Sequence, residues 1–174
     1  FFVVSPARAG FRHVRRPEVA KAGYAIVTGS TVTLSASTAK SVLGVQAPEE
    51  FGIDLKKVWF AFDGTTASDA PVLVELCRAT FESNAPGTNS TAVTPQQLYG
   101  RTIAHGVSAA RNWTSEPTQL TTVAELSLTP NGGTLMYDWP LGDTPDCAPE
   151  DGFVLRLTAG AGVGVRATMV WERC

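Results

Sequence analysis

In the last stretch of this chain Val165, Ala167, Met169 and Trp171 alternate with Arg166, Thr168, Val170 and Glu172. Successive side chains of an extended chain point to opposite faces, so a period of two marks a strand with one face turned to a core. The same period recurs in Val58, Phe60 and Phe62, in Val72, Val74 and Leu76, in Ala124, Leu126 and Leu128, and in Phe153, Leu155 and Leu157. No stretch carries the longer period of an amphipathic helix, and no internal repeat is evident. The chain is therefore read as a sheet protein.

Turn chemistry separates the runs. Residues 23–38, GYAIVTGSTVTLSAST, read as strand, Gly-Ser turn and strand. VLGVQAP, 42–48, is less regular and reads as an edge or a loop. Asp63-Gly64 lies between two alternating runs and reads as a turn rather than a catalytic pair, with Pro71 opening the next strand. Residues 82–100 are rich in Asn, Thr, Ser, Pro and Gly, and predict an extended loop. Within it TPQQ has the marks of one helical turn, with Thr94 as N-cap, Pro95 at the first position and Gln97 reaching back. TPNGG, 129–133, is a strong turn signal, and Pro140 stops the run TLMYDWPLG. About eight short strands follow from this spacing. The expected fold is all-β, an antiparallel β-sandwich of jelly-roll type with long loops and an N-terminal arm. An immunoglobulin-like sandwich is the alternative, although the Cys and Trp spacing of that fold is missing. Residues 1–22 form the arm and residues 23–174 a single domain.

Composition fits this reading. Charged residues are 17 % of the 174 residues, against about 25 % in an average domain. The net charge of -2 hides an asymmetry. Arg8, Arg12, Arg15, Arg16 and Lys21 face only Glu18 in the first 21 residues, a local net of +4. Such an arm seeks an acidic protein surface, a membrane or nucleic acid. The acidic body argues against tracking a nucleic-acid backbone, so no direct nucleic-acid role is expected. FFVV is too short to cross a bilayer and the basic cluster follows it, which is not the order of a signal peptide; no membrane role is expected. The arm would lie across an acidic partner with Phe11 supplying apolar burial, or add a strand to its own domain.

Candidates for chemistry are sparse. His13 and His105 share no metal-ligand spacing with one another, and His105 reads as a strand residue beside a glycine. Cys77, Cys147 and Cys174 are odd in number and widely spaced, which speaks against a disulfide framework or zinc knuckle. Cys77 alternates within an apolar run and is expected to be buried, whereas Cys174 is expected to be exposed. GAGVG, 160–164, precedes a strand, not a helix, so it lacks the context of a dinucleotide loop. The acids Asp63, Asp69, Asp143, Asp146, Glu150 and Asp151 all fall in expected turns. No catalytic residue, cofactor or metal is assigned, and a non-enzymatic role is expected.

Aromatic residues remain. Trp171 belongs to the core by its alternation. Trp113 and Trp139 adjoin Pro- or Asn-rich segments and are the candidates for partner contact, with Arg8, Phe11, Arg12, Arg15 and Arg16 of the arm.

The order of several segments carries a resemblance. GIDLKKVWFAFDGTTASDAPVLVELCRATF precedes NSTAVTPQQLYGR, ARNWTSEPTQLTTVAELSLTPNGG, YDWPLG and GFVLRLTAGAGVGVRATMVWER. This combination resembles a group of small β-rich proteins of tailed actinobacterial phages and prophages, their minor capsid or head-decoration proteins. The resemblance spans about residues 38–173 and leaves the arm outside. It implies a structural protein on the outer capsid surface of the virion, a homotrimer that braces the major capsid protein. The alternative is a carbohydrate- or receptor-binding jelly-roll module of a phage tail or similar assembly.

Overall fold

A computed structural model of the chain describes residues 22–63, 70–131, 133–140 and 142–174. Arg8, Phe11, Arg12, Arg15 and Arg16 fall outside these residues, as does residues 64–69 of the loop that begins at Asp63. The strands run β1 (Ala22–Val27), β2 (Val32–Leu34), β3 (Ala39–Gln46), β4 (Ile53–Phe62) and β5 (Val72–Thr80). There follow β6 (Thr91–Ala92), β7 (Gln96–Gly100), β8 (Ser108–Arg111), β9 (Leu120–Leu128) and β10 (Thr134–Asp138). The last are β11 (Asp146–Cys147), β12 (Asp151–Thr158) and β13 (Val163–Arg173). Among the described residues there is no helix, and so none long and apolar enough to cross a membrane.

The protein is all-β, with two antiparallel sheets. The first is ordered β10-β4-β13-β1-β7, with β2 also paired to β13 and β11 to β4. The second is ordered β6-β8-β3-β12-β5-β9. Early and late strands meet: β1 pairs with β13, β3 with β12, β4 with β10 and β5 with β9. The chain thus runs out and back as a long folded hairpin. Its two halves are joined again by the β4–β13 and β5–β12 ladders.

The alternating runs supply the core. Phe60, Met169 and Trp171 from the first sheet face Val45, Leu155 and Leu157 from the second, all buried. Each such side chain, fully removed from water, contributes about 1.5–3 kcal/mol. Trp171 stacks on Tyr24 at 5.9 Å between ring centroids. Cys77 is buried and Cys174 exposed, as their positions in the sequence predict.

Three local expectations are corrected. VLGVQ is not an edge: it lies inside β3, between β8 and β12, with Ser41 to Val45 all buried. Alternation is hidden there because both faces are covered. On the outer face Trp113 lies over Gly44, where a Cβ would come 3.0 Å from the indole and 3.1 Å from the Phe153 carbonyl. TPQQ starts no helical turn. Gln96 and Gln97 open β7, which pairs with β1 through Ala25 and Tyr24. A single turn without an apolar face cannot offset the cost of helix nucleation, whereas the side of β1 offers a row of backbone partners. His105 lies in the irregular segment between β7 and β8, not in a strand.

Candidate functional site: an apolar cleft between two end strands

Among the described residues β9 and β10 are the last strands of their sheets, β9 pairing only with β5 and β10 only with β4. Between them the sheets part around a cleft of about 240 Å³. One wall is Val58, Phe60 and Leu135; the other is Val74, Leu76 and Leu126. The residues responsible follow the period of two, because Leu126 and Leu128 of β9 and Leu135 of β10 turn inward yet stay only partly buried against the core. The same alternation turns Val123 and Met136 outward, exposed at 44 % and 71 %.

Trp139 closes one end of the cleft. Its backbone N–H donates to the Lys56 carbonyl at 3.1 Å, and the Tyr137 ring meets its ring edge-on at 4.8 Å. Beside them Lys57 and Asp138 form an ion pair at 2.6 Å across the β4–β10 ladder. Trp139, expected at a partner surface, is thus half-buried at the mouth of an apolar opening.

A polar tie holds β9 to the body. Glu75, in register with Glu125 of β9, is buried. Two carboxylates directly opposite would repel. Arg156 removes the problem with a fork, donating from Nε to Oε2 at 2.9 Å and from Nη2 to Oε1 at 2.8 Å, while the Thr122 hydroxyl donates to Oε1 at 2.9 Å. The Arg156 hydrogen bonds hold the Glu75 carboxyl below the ordinary carboxylate range, against the opposing effect of burial. Glu125 has no ion pair among the described residues.

A second surface lies on the outside of the first sheet. The register places Met136, Trp59, Thr168 and Val27 in one row across β10, β4, β13 and β1. Arg166 and Thr134 join them around a shallow depression. Further along this face the Tyr99 ring lies over Gly23, leaving no room for a Cβ there. Its hydroxyl donates to Glu172 at 2.9 Å. Burial, and then this bond to a carboxylate, push the Tyr99 phenol up to about 12.

The structure separates the two tryptophans that sequence alone treats alike. Trp113 is 1 % exposed and its indole N–H donates to the Asn84 carbonyl at 2.8 Å, so it presents nothing to a partner. It pins the segment at Asn84 against the outer face of the second sheet. Glu116 reinforces the pin by accepting from the Ser41 backbone N–H at 2.8 Å and hydroxyl at 2.5 Å. Asp63 follows β4, and its N–H donates to the Gly164 carbonyl of β13 at 3.0 Å; the turn expected at Asp63-Gly64 runs on outside the described residues. His105 meets Tyr24 edge-on at 6.4 Å, and its Nδ1 is buried without a hydrogen-bond partner.

The cleft residues Leu126, Leu135 and Tyr137 escape the sequence reading of sites. The available signal was apolar residues at both parities in LMYDW, which a strand covered on one face does not need.

The chemistry on offer is adhesive. Among the described residues no group of three or more His, Cys, Asp or Glu side chains is placed to hold a metal ion. Burial raises the thiols of Cys77 and Cys147, the latter to about 12, which makes them poor nucleophiles. The cleft is smaller than the roughly 300–1,000 Å³ typical of pockets for drug-sized ligands and suits one or two protein side chains. No family model and no curated protein matches the chain.

Proposed function

We propose that this chain is a structural protein of a phage capsid surface, a minor capsid or decoration protein that binds and stabilises the major capsid shell. The observation that carries the proposal is the placement of its exposed apolar side chains. Met136 and Val27, exposed at 71 % and 50 %, lie in one row on the outer face of one sheet. Large apolar groups clustered on one side suit contact with protein neighbours. The resemblance of residues 38–173 to decoration proteins points the same way and suggests a homotrimer, in which closed symmetry buries one patch type in every copy.

The fold proposed is a jelly roll. Its support is the pairing order: if β1, β3, β4, β5, β9, β10, β12 and β13 are taken as first to eighth, first pairs with eighth, second with seventh, third with sixth and fourth with fifth. That is the pattern of a hairpin wrapped into two Greek keys.

The test is sedimentation of the purified chain with electron microscopy of shells to which it has been added. A trimer, and density on the outer shell surface, are expected. A chain that stays monomeric at micromolar concentration and leaves shells bare overturns the proposal. A second reading, a glycan- or receptor-binding module, draws on the Trp59 depression with Arg166, Thr134 and Thr168 beside the ring. Binding of soluble glycans that is lost in Trp59→Ala would favour it.

A further inference from the structure

Side chains on the open side of the sandwich alternate in what they offer a neighbour. Over residues 124–128 β9 keeps a regular antiparallel register with β5, and its other side is unpaired among the described residues. On the inner face Leu126, opposite the core residue Val74, lines the cleft of about 240 Å³. On the outer face Glu125, opposite Glu75, is exposed and has no ion pair among the described residues. We propose that residues 124–128 take an extended segment of a partner protein as an added strand, one whose apolar and basic side chains alternate. This inference does not rest on the capsid reading.

Both requirements follow from strand geometry. Residues directly opposite in an antiparallel pair share a face, and successive residues change face. A side chain set against Leu126 therefore enters the cleft, which Leu76, Leu126 and Leu135 line. Its chain neighbour is set against Glu125 on the outer face. Glu75 repels Glu125, and the Arg156 fork is taken up by Glu75 through two hydrogen bonds, so the Glu125 charge is left for an incoming cation. In strand addition backbone pairing supplies affinity, and the side-chain positions supply the choice of partner. Glu125 is the one charged residue in β9, which carries neither the lysine nor the proline that guards many edges against pairing. A second copy of β9 fits less well. Pairing over the same residues would bring two Glu125 carboxylates onto one face, where like charges oppose it. The register shift beyond Ala124, between Leu76 and Cys77 of β5, ends the regular edge and confines the added strand to residues 124–128.

The test offers the full chain, at low salt, a short synthetic peptide with blocked ends that alternates lysine and valine. Controls are a glutamate–valine peptide of the same length and a lysine–valine peptide with proline at its centre. Hydrogen exchange is expected to show amides of residues 124–128 slowed by the lysine–valine peptide and not by the proline control. Affinity for the lysine–valine peptide is expected to fall about tenfold in Glu125→Lys, and the glutamate–valine peptide to prefer that variant. Glu125 is exposed, so the substitution leaves the fold intact. Absence of binding, equal affinity of the wild-type chain for the two peptides, or protection elsewhere overturns the proposal. So does protection of residues 124–128 before any peptide is added. In a monomer by sedimentation it would mean that the chain covers its own edge, and in a dimer that a second copy does.

Discussion

On one side of the sandwich β1 and β3 would be end strands, but each is covered. β7 extends the first sheet past β1, β8 and β6 extend the second past β3, and Trp113 seals the outer face above Gly44. β1 is buried through five of its six residues. On the other side β9 is exposed or half-exposed along its whole length, and the sheets part over Leu126 and Leu135. What differs is whether a long loop folds back and is held by hydrogen bonds. The segments at Asn84 and Glu116 are held by Trp113 and Ser41; among the described residues β9 has one comparable tie, the Glu75–Arg156–Thr122 cluster. Burial and exposure are thereby divided between the two sides.

That division makes graded predictions. The largest effect belongs to Trp113→Ala, which empties the sealed side and is expected to cost about 3–5 kcal/mol, read as the shift in denaturant midpoint at constant slope. A loss below about 1 kcal/mol would break the comparison, since surface substitutions rarely cost more than about 0.5.

Arg156→Ala removes the tie of β9 and leaves a buried carboxylate, at a cost of about 2–3 kcal/mol. It also carries a pH signature. The folded pKa of Glu75 is depressed below the ordinary 4.5, so its contribution is present above that value and is lost as pH falls through the lower folded pKa. The wild-type chain should lose this increment on acidification, and the variant should not. Urea midpoints measured across that acid range would show the same slope in both chains if the idea is wrong.

Gly44→Ala sharpens the account of the sealed side. The new methyl meets the Trp113 ring and a backbone carbonyl, which cannot both give way, for an expected cost of about 1–2 kcal/mol. Leu126→Ala tests the open side, where a half-exposed leucine should cost about 1 kcal/mol because the cleft is already solvated. Thermal melts placing Leu126→Ala level with Trp113→Ala would mean that the cleft is closed in solution. Smallest is Met136→Lys, expected within about 0.5 kcal/mol for the isolated chain, while under the capsid proposal its binding to shells weakens.

Much of this architecture is legible in the alternation alone. β4, β5, β9, β12 and β13 stand where the apolar residues recur at every second position, and Gly29, with φ of +67°, makes the turn that the Gly-Ser pair announces. β3 is less legible because burial on both faces erases the period. β7 is misread because Thr94, Pro95 and Gln97 satisfy a local capping rule that long-range pairing with β1 overrides. The arginines and Phe11 of the arm lie outside the described residues.

Sequence by itself determined the sheet class, the inward residues of the principal strands and the turns between them, because these depend on side-chain alternation and backbone preference within a few residues. Tertiary structure alone decided which strand lies at an end and which tryptophan is sealed. Trp113 and Trp139 sit in similar local company, Asn112 before one and Pro140 after the other. One is covered by a loop whose contacts are with Ser41, some 70 residues earlier in the chain, and the other faces the gap between β9 and β10. Burial on the outside of a sheet is set by what folds over it from far along the chain, and no local pattern encodes that.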